Sequence, residues 1–204
     1  MMAYTLALVV SYFVGCINPA YFISKLKGVD LRETGTGNLG ASNAVLAMGL
    51  HLGIPILLVD IAKSALSILL FTVLFPDHEL MGYVVGCAVI IGHTYPFYLN
   101  FDGGKGFAPM IGFILVTNPI LIPFVAIGGV AMMYLTGYVV CITWVTIGAF
   151  PIWVATQVGV MQGILAAIAS VLIFKEHIEN IQRIIDGTEQ RIENYLFKHK
   201  GEEK

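Results

Sequence analysis

Residues 106–174, GFAPMIGFILVTNPILIPFVAIGGVAMMYLTGYVVCITWVTIGAFPIWVATQVGVMQGILAAIASVLIF, hold no Asp, Glu, Lys or Arg in 69 consecutive positions. A soluble core supplies no such run, because every surface face of a water-soluble fold needs charge; a lipid environment is implied. The rest of the chain agrees. Of its 204 residues 57% are hydrophobic and only 12% charged, where a soluble domain carries roughly twice that charge. The length suits one membrane-embedded domain over residues 1–204. A net charge of -2 without basic clusters argues against nucleic acid. Cys16, Cys87 and Cys141 lie singly in apolar runs and imply neither disulfide nor metal.

Outside that run the apolar stretches are about Ala3 to Ile23, Leu50 to Phe75 and Leu80 to Leu99, each near the ~20 residues that cross a bilayer as a helix. The first lacks a basic leader and reads as a retained span. Cations fall at Lys25, Lys27 and Arg32, at Lys105, and in the tail at Lys175, Arg183, Arg191, Lys198, Lys200 and Lys204, whereas Asp77-His78-Glu79 carries acids. The positive-inside rule then puts the N-terminus outside and the tail in the cytoplasm. The uncharged run starts and ends on one side and must hold an even number of crossings. Breakers at Asn118-Pro119, Gly137 and Pro151, and a turn at Gln157 to Gly159, favour four crossings of about 17 residues, which is near the lower limit. The expected fold is all-α, with seven transmembrane helices, or five if the run crosses twice. Ile178, Ile181, Ile184 and Ile185 recur at helical spacing and predict an amphipathic cytoplasmic helix ending at Gly187, with Gly201 to Lys204 frayed.

Against this apolar background the polar loops stand out. Gly35-Thr36-Gly37-Asn38-Leu39-Gly40-Ala41-Ser42-Asn43 places glycines at i, i+2 and i+5, so the backbone can bend and expose N–H groups ahead of a helix start that favours an anion. With no strand–helix–strand context a dinucleotide fold is excluded; a flexible connector is the other reading. Gly92-His93-Thr94-Tyr95-Pro96 and Gly103-Gly104-Lys105-Gly106 fall on the same membrane face. Lys105 among glycines suits a phosphate, or is only an interfacial charge; His93 is a site residue, or a helix-end side chain bonded to a carbonyl. Asp60 and Lys63, at i and i+3 in the second span, form an ion pair or line a polar cavity. His177, Glu179 and Asn180 cap the tail helix or complete the site.

The ordered set Gly35 to Asn43, Gly92-His93 with Pro96, Gly103 to Gly106, Asp30-Leu31-Arg32, Asp60 with Lys63, and His177-Ile178-Glu179-Asn180-Ile181 with Gly187 resembles the bacterial acyl-phosphate-dependent glycerol-3-phosphate acyltransferases over nearly the whole chain. The resemblance implies a seven-span protein of the bacterial inner membrane with its site on the cytoplasmic face. It would make lysophosphatidate from glycerol 3-phosphate and acyl phosphate, without metal or cofactor, and with a functional link to an acyl-phosphate-forming enzyme. It implies catalytic roles for Thr36, Asn38, His93 and Lys105. Phosphate or substrate contacts would come from Gly35, Gly37, Gly40, Asn43, Gly103, Gly104, Gly106, Glu179 and Asn180. The chain departs from the family pattern at Leu46 and Ile178, where arginine is usual, and in the Thr136 to Val140 loop, where a basic residue and a serine are usual. A non-catalytic paralogue that binds an acyl or phosphate ligand is the alternative, and a small transporter a further one, disfavoured by the scarcity of intramembrane charge.

Overall fold

The computed structural model describes residues 1–196, and is all-helical among them apart from one isolated bridge between Tyr138 and Arg191. The cations at 198, 200 and 204 and the expected frayed end lie outside the described residues. Helices α1 (Met2–Cys16) and α2 (Pro19–Leu26) follow one another as a 25-residue apolar stretch. At their junction Pro19 starts α2, where a missing N–H costs nothing, and the Asn18 side chain accepts from the Tyr21 N–H at 2.9 Å. A loop leads to α3 (Ala41–Met48), and then to α4 (Leu50–Leu74) and α5 (Met81–Thr94). Pro96 stops α5, and a short 3-10 turn, Phe97–Leu99, completes that span.

The charge-free run folds into four helices, as its breakers imply: α6 (Phe107–Thr117), α7 (Leu121–Thr136), α8 (Cys141–Gln157) and α9 (Val160–Glu176). Breaks fall at Asn118-Pro119, Gly137 and Val158-Gly159. Pro151 is a correction: it lies inside α8 and does not end it. Its ring forfeits one backbone bond, but α8 packs between α7 and α9, and a bundled apolar helix retains its path. Pro55 sits inside α4 in the same way. The amphipathic helix is α10 (Ile178–Ile185), bent 41° from α9 and closed at Gly187, whose φ is +71°. A last helix, α11 (Ile192–Leu196), was not anticipated.

Helix α5 is the axis of the bundle, packed against α1, α4, α6 and α9. Its fit to α1 depends on Gly15 and Gly92: a Cβ at Gly92 would run into the Tyr12 carbonyl, and one at Gly15 into that of Val89. Small residues allowing backbones to touch are how helices associate where lipid replaces water. Phe113, Phe150, Met110, Ile90 and Ile173 fill the core, while Leu66, Val73, Phe124, Ile127, Leu135, Ile164 and Val171 face outward and exposed. So much outward apolar side chain suits hydrocarbon and not water. Three helical stretches, Met2–Leu26, Leu50–Leu74 and Met81–Leu99, are long and apolar enough to cross a membrane, and the bent α9–α10 pair qualifies as a fourth.

Candidate active site

The loop between α2 and α3 is built around Asn43. Its amide donates to the Leu31 carbonyl at 2.7 Å and the Asn38 carbonyl at 3.0 Å, and its Oδ1 accepts from the Thr36 N–H at 2.8 Å. That carboxamide is almost wholly spent on the loop itself, so Asn43 is a shaping residue. Gly35 turns beneath it at φ +60°, where a Cβ would strike the Asn43 oxygen. Arg32 ties this loop to the next by donating to the Leu99 carbonyl at 3.3 Å. What remains uncommitted lines a cavity: the Thr36 hydroxyl, the Asn38 carboxamide and the Ser42 hydroxyl make no side-chain hydrogen bond with the described residues. The first N–H groups of α3, from Ala41 to Asn43, likewise lack intrahelical partners; such a helix start attracts an anion.

The second loop folds back onto the end of α5. The Gly104 N–H donates to the His93 carbonyl at 3.1 Å, and a Cβ at Gly104 would run into His93 Nε2. His93 is buried, and its Nδ1 lies 3.0 Å from Lys63 Nζ and 3.3 Å from Asp60 Oδ1. Lys63 also donates to the Gly15 and Ile17 carbonyls, at 3.0 and 2.7 Å, and stands 2.7 Å from Asp60. Lys63 and Asp60 together hold the Nδ1 edge of the His93 ring. The Asp60–Lys63 pair is thus part of the site's scaffold as well as an ion pair.

Lys105 reaches across to α10, donating to Asn180 Oδ1 in a short hydrogen bond. The Asn180 amide donates in turn to Glu189 Oε1 at 3.0 Å, and Glu189 Oε2 accepts from Arg183 Nε at 3.0 Å. Partial burial, and then the nearby Arg183 charge, bring the Lys105 ammonium down to about 8, against the opposing pull of Glu179, Glu189 and Glu176. Burial, with the Glu189 carboxylate adding to it, pushes the Tyr195 hydroxyl up to about 12. His177 is buried, and its Nδ1 is 2.8 Å from the Ile173 carbonyl. A carbonyl accepts, so Nδ1 carries the proton and Nε2 keeps the free lone pair.

These parts enclose one cavity of about 140 Å³. Of the residues singled out in the sequence, Thr36, Asn38, Gly40, Ser42, Asn43, Asp60, His93, Lys105, Gly106, His177 and Asn180 line it. Gly35, Gly37, Gly103 and Gly104 do not line it. Glu179 is not brought in: its side chain is 77% exposed and lies 3.5 Å from Arg183. Two acids stand in the wall, Asp60 and Glu189, of which sequence spacing does not reveal the second, and Tyr195 joins them. Leu57, Val140 and Ile142 supply an apolar side. No cluster of three or more metal-ligating side chains exists among the described residues.

Comparison with known proteins shows the family. The family described as glycerol-3-phosphate acyltransferase matches residues 5–187. A glycerol-3-phosphate acyltransferase of a Thermoanaerobacter species is 34% identical, covering 92% of this chain and 94% of its own. That of Macrococcus caseolyticus is 36% identical, covering 94% and 98%. Among solved structures, PlsY (YgiH), an integral membrane glycerol 3-phosphate acyltransferase, superimposes in its glycerol 3-phosphate form with a TM-score of 0.85 and 31% identity, over 93% of this chain and 95% of that one. Its lysophosphatidic acid form gives 0.83 and 30%, over 96% and 99%. With a matching profile over most of its length, relatives above 30% identity end to end and a bundle that superimposes on an integral membrane enzyme, the chain belongs to the glycerol-3-phosphate acyltransferase family.

Proposed function

We propose that the protein transfers the acyl group of an acyl phosphate to glycerol 3-phosphate, giving lysophosphatidate and inorganic phosphate. The observation that carries this reading is the convergence on one cavity of the α3 N-terminus, the free Thr36, Asn38 and Ser42 groups, and Lys105. Together they form an anion site whose apolar flank can receive an acyl chain. The hydroxyl oxygen of glycerol 3-phosphate bonds to the acyl carbon, the bond from that carbon to the phosphate oxygen breaks, and phosphate leaves with the electron pair. Lys105 neutralises a phosphoryl group, and Thr36, Asn38 and the α3 N–H groups hold phosphate or the developing oxyanion. His93 orients phosphate or hydroxyl through Nε2. The His177 Nε2 lone pair takes the hydroxyl proton, which ends on the released phosphate.

Purified protein in detergent should form lysophosphatidate with acyl phosphate and give no turnover with acyl-CoA; failure with acyl phosphate would overturn the assignment. The pH profile is a second check. The second ionisation of a phosphate ester lies near about 6, and Lys105 is a cation below about 8 and neutral above it. For glycerol 3-phosphate, kcat/KM should therefore rise through the lower value, hold, and fall above the upper one. Lys105→Arg should remove the alkaline fall, because guanidinium does not deprotonate. An alkaline limb unchanged in that variant would assign it to another group.

The same proposal includes the membrane arrangement: one domain, seven crossings by α1–α2, α4, α5, α6, α7, α8 and α9 in a bacterial inner membrane, with both site loops and the tail in the cytoplasm. Its support is the cation distribution and the even number of helices between Lys105 and Lys175. Helix α6, at 11 residues, covers only about 16 Å of a ~30 Å core. The buried Gly103–Gly106 backbone fills part of the remainder, as non-helical chain can where protein surrounds it. Reporters fused at Glu79 and after Lys204 should report opposite sides of the membrane; the same side for both would exclude seven crossings. A functional link to an enzyme that makes acyl phosphate follows from the donor's reactivity.

A further inference from the structure

Beyond Gly187 the chain turns back over the cavity. The Thr188 and Glu189 N–H groups both donate to the Arg183 carbonyl, at 2.8 and 3.0 Å, and Glu189 and Tyr195 then line the wall. Between those two, Arg191 pairs with Tyr138 in the isolated bridge, and the following N–H, that of Ile192, donates to the Gly137 carbonyl at 2.9 Å. The guanidinium lies over the Tyr138 ring, 5.5 Å from its centre. It also occupies the space where Gly137 has no side chain: a Cβ there would stand 2.6 Å from Arg191 Nη2. The next residues along that loop, Val139 and Val140, line the cavity. Arg191 is thus bracketed by lining residues on both chain segments and seated at the rim. Its acidic neighbour among the described residues, Glu193 at 3.8 Å, is exposed and neutralises little of its charge.

The charges of the lining make this position consequential. Among the described residues Lys105 is the one Lys or Arg side chain in the lining, and the lining carboxylates, Asp60 and Glu189, are already paired with Lys63 and Arg183. A phosphoryl dianion entering such a site needs a further cation. We propose that Arg191 supplies it, as a phosphoryl-binding residue at the cavity mouth, contributed by a tail segment that lies past the family-matched residues. Gly137 is the notch that admits it. The ligand chemistry is a phosphate dianion on either acyl phosphate or glycerol 3-phosphate. This rests on the acyl-transfer reading above.

Arg191→Gln, Arg191→Lys and wild type are compared for KM and kcat with each substrate varied in turn, with thermal unfolding alongside. Loss of one charge-assisted contact corresponds to a KM increase on the order of 10-fold. The Gln variant should show this with kcat little changed, and the substrate whose KM moves identifies the phosphate. Arg191→Lys should recover most of the loss, since it keeps the charge while giving up the planar stack on Tyr138. An unchanged KM for both substrates in Arg191→Gln overturns the proposal. So does an equal fall of kcat in the Gln and Lys variants at constant KM, because that marks Arg191 as an anchor of the tail. A wild type without acyl transfer fails the broader reading instead; the stabilisation given by inorganic phosphate then decides the matter, and a shift equal in wild type and Arg191→Gln rejects Arg191.

Discussion

Lys105→Ala lowers kcat/KM for glycerol 3-phosphate by about 10²–10³ while the protein still inserts and melts like the wild type. The size follows from what Lys105 does. Among the described residues it is the one lining ammonium or guanidinium, it is half-buried, and it faces the α3 N-terminus across the cavity. A preorganised charged donor removed from a closed site typically costs about that factor. Solvent cannot make up the difference, because apolar helices wall the cavity and water screens poorly there. The fold should tolerate the change. Among the described residues Lys105 makes no ion pair, and its hydrogen-bond partner there, Asn180, remains held by Glu189. Expected kinetics separate two roles. If Lys105 binds the ground-state phosphate, the loss appears in KM; if it mainly stabilises charge developing as phosphate departs, it appears in kcat. Wild-type kcat/KM in the alanine variant would move the anion site away from this cavity.

The fold was legible in the sequence where composition alone decides. Four helices in the charge-free run follow from a lipid environment, an even number of crossings, and Asn118-Pro119, Gly137 and Gly159 as breaks. Pro151 misleads because its helix penalty is set in water, whereas α8 is held on both sides by α7 and α9. The first site loop was legible for a similar reason: in so apolar a chain, a run of Gly, Thr, Asn and Ser has few structural uses. Helix phase was not legible. Glu179 and Asn180 are neighbours in sequence, yet only Asn180 turns inward, and that depends on the bend at His177. Nor does local spacing reveal Glu189 or Tyr195. They reach the cavity only because Gly187 reverses the chain and the Gly137 carbonyl receives the Ile192 N–H. Long-range return of this kind leaves no periodic mark.

The second large effect lies behind the cavity, at Asp60, Lys63 and His93. All three are buried, with side-chain exposures of 1%, 6% and 3%. Lys63→Met strips the partner from a buried carboxylate and leaves the Gly15 and Ile17 carbonyls without the donor they now share. Breaking one side of such a pair costs about 3–5 kcal/mol, since the remaining charge stays desolvated. The variant should unfold in detergent at a markedly lower temperature and lose acyl transfer. Loss of activity alone would not distinguish a brace from a functional scaffold, so the double variant Lys63→Met with Asp60→Leu is the informative one. With the uncompensated charge gone, apolar side chains in both places should restore much of the stability. Acyl transfer should stay low, because neither Lys63 nor Asp60 then holds the His93 Nδ1, and the imidazole is free to turn or change tautomer against Gly104. Recovery of stability and activity together would reduce the Asp60–Lys63 pair to a helix brace, with His93 oriented by the glycine loop alone.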